Sequence, residues 1–120
     1  MAIGWYRKLG LTLYYRAGHG LCGISVDARL GPQVIADGMP LVGRVPSELE
    51  QWMIERAEAR EPFTELAYIA GGEPGSLTLG VMICMQRAGD ILLTRPVFIP
   101  KEALDDVSHW LPREAWAIHA

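Results

Sequence analysis

Leu77-Thr-Leu-Gly-Val-Met-Ile-Cys-Met-Gln-Arg-Ala-Gly-Asp-Ile-Leu-Leu-Thr-Arg-Pro-Val-Phe-Ile99 is the most hydrophobic stretch of the chain, and its reading decides the fold. Leu77, Leu79, Val81, Ile83 and Met85 recur with period two, which sets them on one face of a strand. Arg87-Ala-Gly-Asp90 makes a short polar break with a glycine, and a second apolar run follows. The pattern predicts a long hairpin central to the core. Burying five such side chains contributes roughly 7–15 kcal/mol before chain entropy is subtracted. Pro96 places the second arm at a sheet edge or near the end of its pairing.

Upstream, Thr64 to Ala70 reads as a strand, and Pro74-Gly75 suits the centre of a type II turn. Before it comes the one clear helix. Ser47-Glu-Leu-Glu50 fits a capping box, Leu49, Trp52, Met53 and Ala57 form an apolar stripe, and Pro62 stops the helix near Arg60. Near the start, Lys8 to Arg16 alternates, with Leu9, Leu11, Leu13 and Tyr15 on one half-buried face. After the turn Ala17-Gly-His-Gly20, Cys22, Ile24 and Val26 alternate in a partner strand. Gln33 to Val42 reads as short extended pieces around the tight-turn dipeptide Asp37-Gly38, and Pro40 argues against a central strand there. Downstream, Pro100 opens a second helix with Leu104, Val107 and Leu111 inward, and Pro112 ends it. The tail carries Trp116 and Ile118 and is expected to dock on the domain. Strands run together rather than alternating with helices. The prediction is a single α+β domain over residues 1–120: an antiparallel sheet of five or six strands, with two helices on one face.

The 120 residues are 50% hydrophobic and 21% charged, enough for one domain with a real core and too apolar for disorder. The first residues lack the basic start and apolar run of a secretory signal, and no stretch approaches the roughly 20 apolar residues that span a bilayer. A cytoplasmic protein without membrane contact is expected. Cys22 and Cys84 then read as buried free thiols. The net charge of −3 is unevenly spread. Residues 1–46 carry Arg7, Lys8, Arg16, Arg29 and Arg44 against Asp27 and Asp37, whereas residues 47–120 carry six basic and twelve acidic side chains. An acidic second part disfavours nucleic acid as a ligand and suits a basic partner.

No motif assigns chemistry. His19 and Cys22 lie three apart, but no Cys-x-x-Cys accompanies them, and His109 and His119 lie in the C-terminal segment, so no metal site is assigned. Cys22, Ser25, His19, His109 and Asp27 supply the residue types of a nucleophilic set without its sequence context. Gly18-His-Gly20 and Gly71-Gly72 lack the spacing of a phosphate loop. The chain is therefore read as a non-enzyme without cofactor. Glu48, Glu50, Glu55, Glu58, Glu61, Glu65 and Glu73 stand out, opposed only by Arg56 and Arg60. They form either a solvated face or a docking surface for a basic partner, with Glu55, Glu58, Glu61, Glu65 and Glu73 as its candidate residues. Trp52, Trp110 and Trp116 read as core, or as hot spots where exposed.

The strand-rich start, the helix after Gly43-Arg-Val-Pro-Ser47, the Gly72-Glu-Pro-Gly75 turn and the hydrophobic hairpin give the whole chain a general look. It resembles the bacterial immunity proteins that neutralise polymorphic toxins, including those of contact-dependent growth inhibition. Such proteins form many unrelated families, so no functional residue carries over. The resemblance implies a monomer or weak homodimer that binds a cognate toxin domain tightly and one to one. The toxin is often a basic nuclease, and the immunity protein covers its active site or substrate surface. Two other classes fit the same composition. One is a small acidic secretion chaperone or other protein-binding module, marked by a homodimer with an apolar groove. The other is a small enzyme, marked by a deep pocket with converging polar groups.

Overall fold

The computed structural model describes residues 2–60, 66–68, 73–100, 103 and 110–118. At its centre Val81–Ala88 (β8) and Ile91–Phe98 (β9) pair antiparallel along their full length, Val81 opposite Phe98 and Ala88 opposite Ile91. The predicted hairpin is therefore present, closed by the two-residue loop Gly89-Asp90. Its first arm starts later than the apolar pattern does. Gly80 takes φ +67° at the end of a turn from Leu77, and its amide bonds the Ser76 carbonyl. Leu77 and Leu79 consequently lie in that turn and pack into cores on opposite sides of the sheet.

The remaining strands are β1 (Ala2–Tyr6), β2 (Leu11–Arg16), β3 (Gly20–Val26), β4 (Ile35–Ala36), β5 (Met39–Pro40), β6 (Leu66–Tyr68) and β7 (Pro74–Ser76). Among the described residues, seven of the nine strands form one antiparallel sheet in the order β1-β2-β3-β9-β8-β7-β6, and β4-β5 is a separate hairpin. Seven strands exceed the five or six predicted for two reasons. β1 has no alternating pattern, and Pro74-Gly75, read as turn residues, lie in β7. Asp37 and Gly38 both take positive φ between β4 and β5, the conformation of a type I′ hairpin turn. The α+β class stands. The radius of gyration, 13.6 Å, is that of a compact chain of this length.

The helix α1 (Pro46–Glu58) starts one residue earlier than predicted. Val45 is its extended N-cap, Pro46 occupies the first helical position, and no side chain caps the end, so the capping box at Ser47 does not form. Proline fixes φ for the first turn and pushes its predecessor into the extended region, which is enough to set the start. Thr94 anchors this entry to β9. Its hydroxyl donates to the Leu41 carbonyl at 2.6 Å and accepts the Arg44 amide at 2.9 Å.

Among the described residues, the two helices lie on opposite faces of the sheet. Leu49 and Met53 of α1 pack with Leu41, Val81 and Ile83 on one side of the sheet. Leu111 and Ala115, the latter in the short helix α2 (Arg113–Trp116), pack with Tyr14, Cys22, Met82, Cys84 and Val97 on the other. Val81, Met82, Ile83 and Cys84 are thus all buried, as in a strand covered on both faces. This second core also reverses the reading of β2. Tyr14, not the leucine face, is the buried side chain there, and Leu9 is exposed. Tyr14 sits opposite Gly23, where a Cβ would come within 2.7 Å of Leu111 Cδ1. A side chain at position 23 would force the Leu111 side chain to shift. Of the predicted second helix, residues 101–102 and 104–109 lie outside the described residues.

Candidate functional site

The solvent face of α1 carries Glu48, Gln51, Glu55 and Glu58, all exposed. Steps of three, four and three place them in one row, opposite the buried Leu49, Met53 and Ala57. Gln51 Nε2 donates to Glu55 Oε1 at 3.1 Å. Arg56 of the helix and Arg60 just after it are drawn to its flank. Arg56 Nε donates to Asp37 Oδ2 at 2.9 Å, and Arg60 lies 3.7 Å from the same oxygen. Arg44 pairs with Glu48 at 3.3 Å, and Glu50 bonds the Tyr68 hydroxyl. The row is therefore acidic at its Glu55–Glu58 end. Of the other predicted contact residues, Glu61 and Glu65 lie outside the described residues. Glu73 is only 5% exposed and does not belong to the surface row.

Glu73 belongs to a buried polar row that the sequence did not disclose. Arg95 of β9 stands directly opposite Cys84 of β8, on the Tyr14 side of the sheet, and is 2% exposed. Continuing the β7–β8 pairing by two residues sets Glu73 beside Cys84. Arg95 donates to Ser25 Oγ at 2.6 Å and to the carbonyls of Ala115 and Ala117 at 2.9 Å each. It thereby ties α2 to the sheet. Burial favours the neutral guanidine and lowers the Arg95 pKa, while Cys84, Tyr14, Asp27 and Glu73 act in the opposite sense. At the end of the row, Gln86 joins β8 to the loop after β3: its amide donates to Asp27 Oδ1 and accepts from the Ala28 amide. Burial would raise the Asp27 pKa. The amides of Leu30 and Arg29 and the Gln86 side chain outweigh that and hold the carboxyl below its ordinary value.

The thiols are both free and both buried. Burial pushes the Cys84 thiol up to about 12, against the pull of Arg95. Burial also raises the Cys22 thiol. The sheet register puts Cys22 level with residue 100 of the chain leaving β9, and Cys84 level with residue 95. Five residues along a strand is about 16 Å, too far for a disulfide. Cys84 should resist thiol reagents at neutral pH in the native protein, because the thiolate is the reactive form. Its linkage to stability has a definite sign. A thiol whose pKa is raised on folding contributes stability that is complete below the unfolded value of 9.0 and is lost as pH rises through about 12. Between those values the slope approaches about 1.4 kcal/mol per pH unit. Urea denaturation from pH 8 to 11 on wild type and Cys84→Ala should show this slope in the former and a smaller one in the latter.

His19 does not approach a metal set. Its ring meets Trp110 edge-on at 5.5 Å, Arg16 stacks over the same indole at 4.4 Å, and Trp110 Nε1 donates to the Cys22 carbonyl. Among the described residues, no group of His, Cys, Asp and Glu has metal-binding geometry. His109 lies outside them. Among the same residues, no helix is long and apolar enough to cross a membrane. Beside β1, a cleft of about 400 Å³ is lined by Trp5, Arg7, Thr12, Tyr14, Asp27 and Leu30, among others. Trp5 carries no periodic signal in the sequence, and only its exposure beside this cleft marks it. Comparison with family models, with curated proteins and with solved structures found no match to any of them.

Proposed function

We propose that this protein is an immunity protein, which binds a basic bacterial toxin domain and neutralises it by occlusion, without chemistry of its own. The row Glu48, Gln51, Glu55 and Glu58 on the solvent face of α1 carries the reading. It is a rigid acidic surface on a helix whose other side is locked into the core. Charge complementarity of this kind accelerates association and selects the cognate partner, while a few buried contacts set dissociation. The inert, buried Cys84 and the Trp110-bound His19 support a binding role for the fold over a nucleophilic one.

The reading is tested by growth. Any exported protein encoded next to this chain is searched for a toxin domain, and that domain is expressed with and without the chain. Wild type should restore growth, and purification should recover a one-to-one complex. The combined variant Glu55→Gln, Glu58→Gln and Glu61→Gln should keep the fold, because Glu55 and Glu58 are exposed. It should protect less well at limiting expression. Full protection by that variant at every expression level would remove the acidic helix from the interface.

A further inference from the structure

The opposite end of the sheet has the opposite character. β1 is the outermost strand. Among the described residues, no strand pairs its free edge. Edge strands are ordinarily blunted by charge, proline, a bulge or a covering element. Ala2-Ile-Gly-Trp-Tyr6 has neither a charged residue nor a proline, and its pairing with β2 runs without a bulge. Trp5 is 63% exposed, and Leu30, which shares its cleft, is 68% exposed. Tyr6 and Leu9 are exposed as well, and so are Arg7, Lys8 and Arg29. Four large exposed apolar side chains and three exposed cations thus lie in β1, just after it and in the loop that follows β3, and among the described residues the outer ladder of β1 is unpaired. Two acids line the cleft: Glu114 is exposed, and Asp27 is already engaged by the amides of Arg29 and Leu30 and by Gln86. The Asp27 charge is therefore largely compensated.

We propose that the free edge of β1 is a second docking site, which takes an acidic, extended segment of a partner protein as an added strand. The unpaired N–H and C=O groups of β1 supply the ladder, Trp5 and Leu30 take an apolar side chain into the cleft, and Arg7, Lys8 and Arg29 select for carboxylates. A strand is favoured over a nucleic acid or an anionic lipid surface because it alone matches the backbone edge. This site is independent of the α1 surface, and the variants of one leave the other intact.

The test uses the full chain and a labelled synthetic peptide alternating Glu with Val. Binding should be saturable and should slow amide hydrogen exchange in residues 2–6 of β1. Trp5→Ala, and Arg7→Glu combined with Lys8→Glu, should each weaken it about ten-fold or more, which is about 1.4 kcal/mol. The same peptide methylated at every backbone nitrogen keeps its side chains and charge and should not bind. The α1 triple variant should bind the peptide as wild type does. The proposal is overturned by an absence of saturable binding, by undiminished binding of the methylated peptide, or by unchanged exchange in β1. Tighter binding of single-stranded oligothymidine or of phosphatidylserine vesicles than of the peptide also overturns it.

Discussion

Val81→Asp and Ile83→Asp should each leave the chain unfolded at room temperature. Both side chains are buried between the sheet and α1, in contact with the core that holds Leu41, Leu49 and Met53. A carboxylate there would lack a partner, and the protein would either desolvate the charge or protonate it. Added to the lost apolar burial, the cost is about 5 kcal/mol or more, comparable with the whole stability of a domain this size. Circular dichroism and urea denaturation should show no cooperative transition for either variant. Wild-type melting behaviour in either one would mean that this face of β8 is not core.

Arg95→Ala should be nearly as damaging, for a different reason. Arg95 fills the space between β3, β9 and the C-terminal segment, and its guanidinium satisfies Ser25 Oγ and two carbonyls. Removing it leaves a cavity and strands those acceptors away from water, at a combined cost of about 3–5 kcal/mol. The damage should be local first. Amide exchange at Ala115 and Ala117 should accelerate before that of β8 and β9. Arg95→Lys should recover only part of the loss, because a lysine ammonium cannot present the planar fork that reaches three acceptors on two elements. A variant that melts like wild type, with unchanged exchange in residues 113–117, would show that Arg95 does not hold the segment.

The hairpin and the apolar stripe of α1 were legible because both rest on a period that follows from backbone geometry. What period two cannot reveal is that a strand is covered on both sides. Val81 to Cys84 are buried without interruption, so the odd-numbered series identified one core and hid the other. The same blindness misplaced Tyr14. β1 escaped notice because large side chains are exposed on both its faces, Trp5 on one and Tyr6 on the other, so no alternation arises. β7 escaped because neighbouring strands hold Pro74-Gly75 in the ladder against their turn preference. At the start of α1 two signals one residue apart competed, and the proline set the boundary.

The candidate site divides along the same line. Glu55 and Glu58 fell where helical spacing put them, on the solvent side. Glu73 and Arg95 did not, because charged residues are ordinarily exposed and nothing local marks the rare buried ones. What buries Arg95 is its cover by Ser25, Ala115 and Ala117, residues outside the hairpin and distant in sequence.

The measurement that bears most directly on the proposed function is the association rate of the full chain with its toxin domain as a function of ionic strength. Surface charge steers association over about a Debye length, 10 Å at 0.1 M salt, and is screened beyond it. Wild type should associate fastest at low salt, with a rate that falls steeply as salt rises. The variant Glu55→Gln, Glu58→Gln and Glu61→Gln should start slower and fall less steeply, with its dissociation rate little changed. An identical salt dependence for the two proteins would contradict the account and leave the α1 row a solvated face.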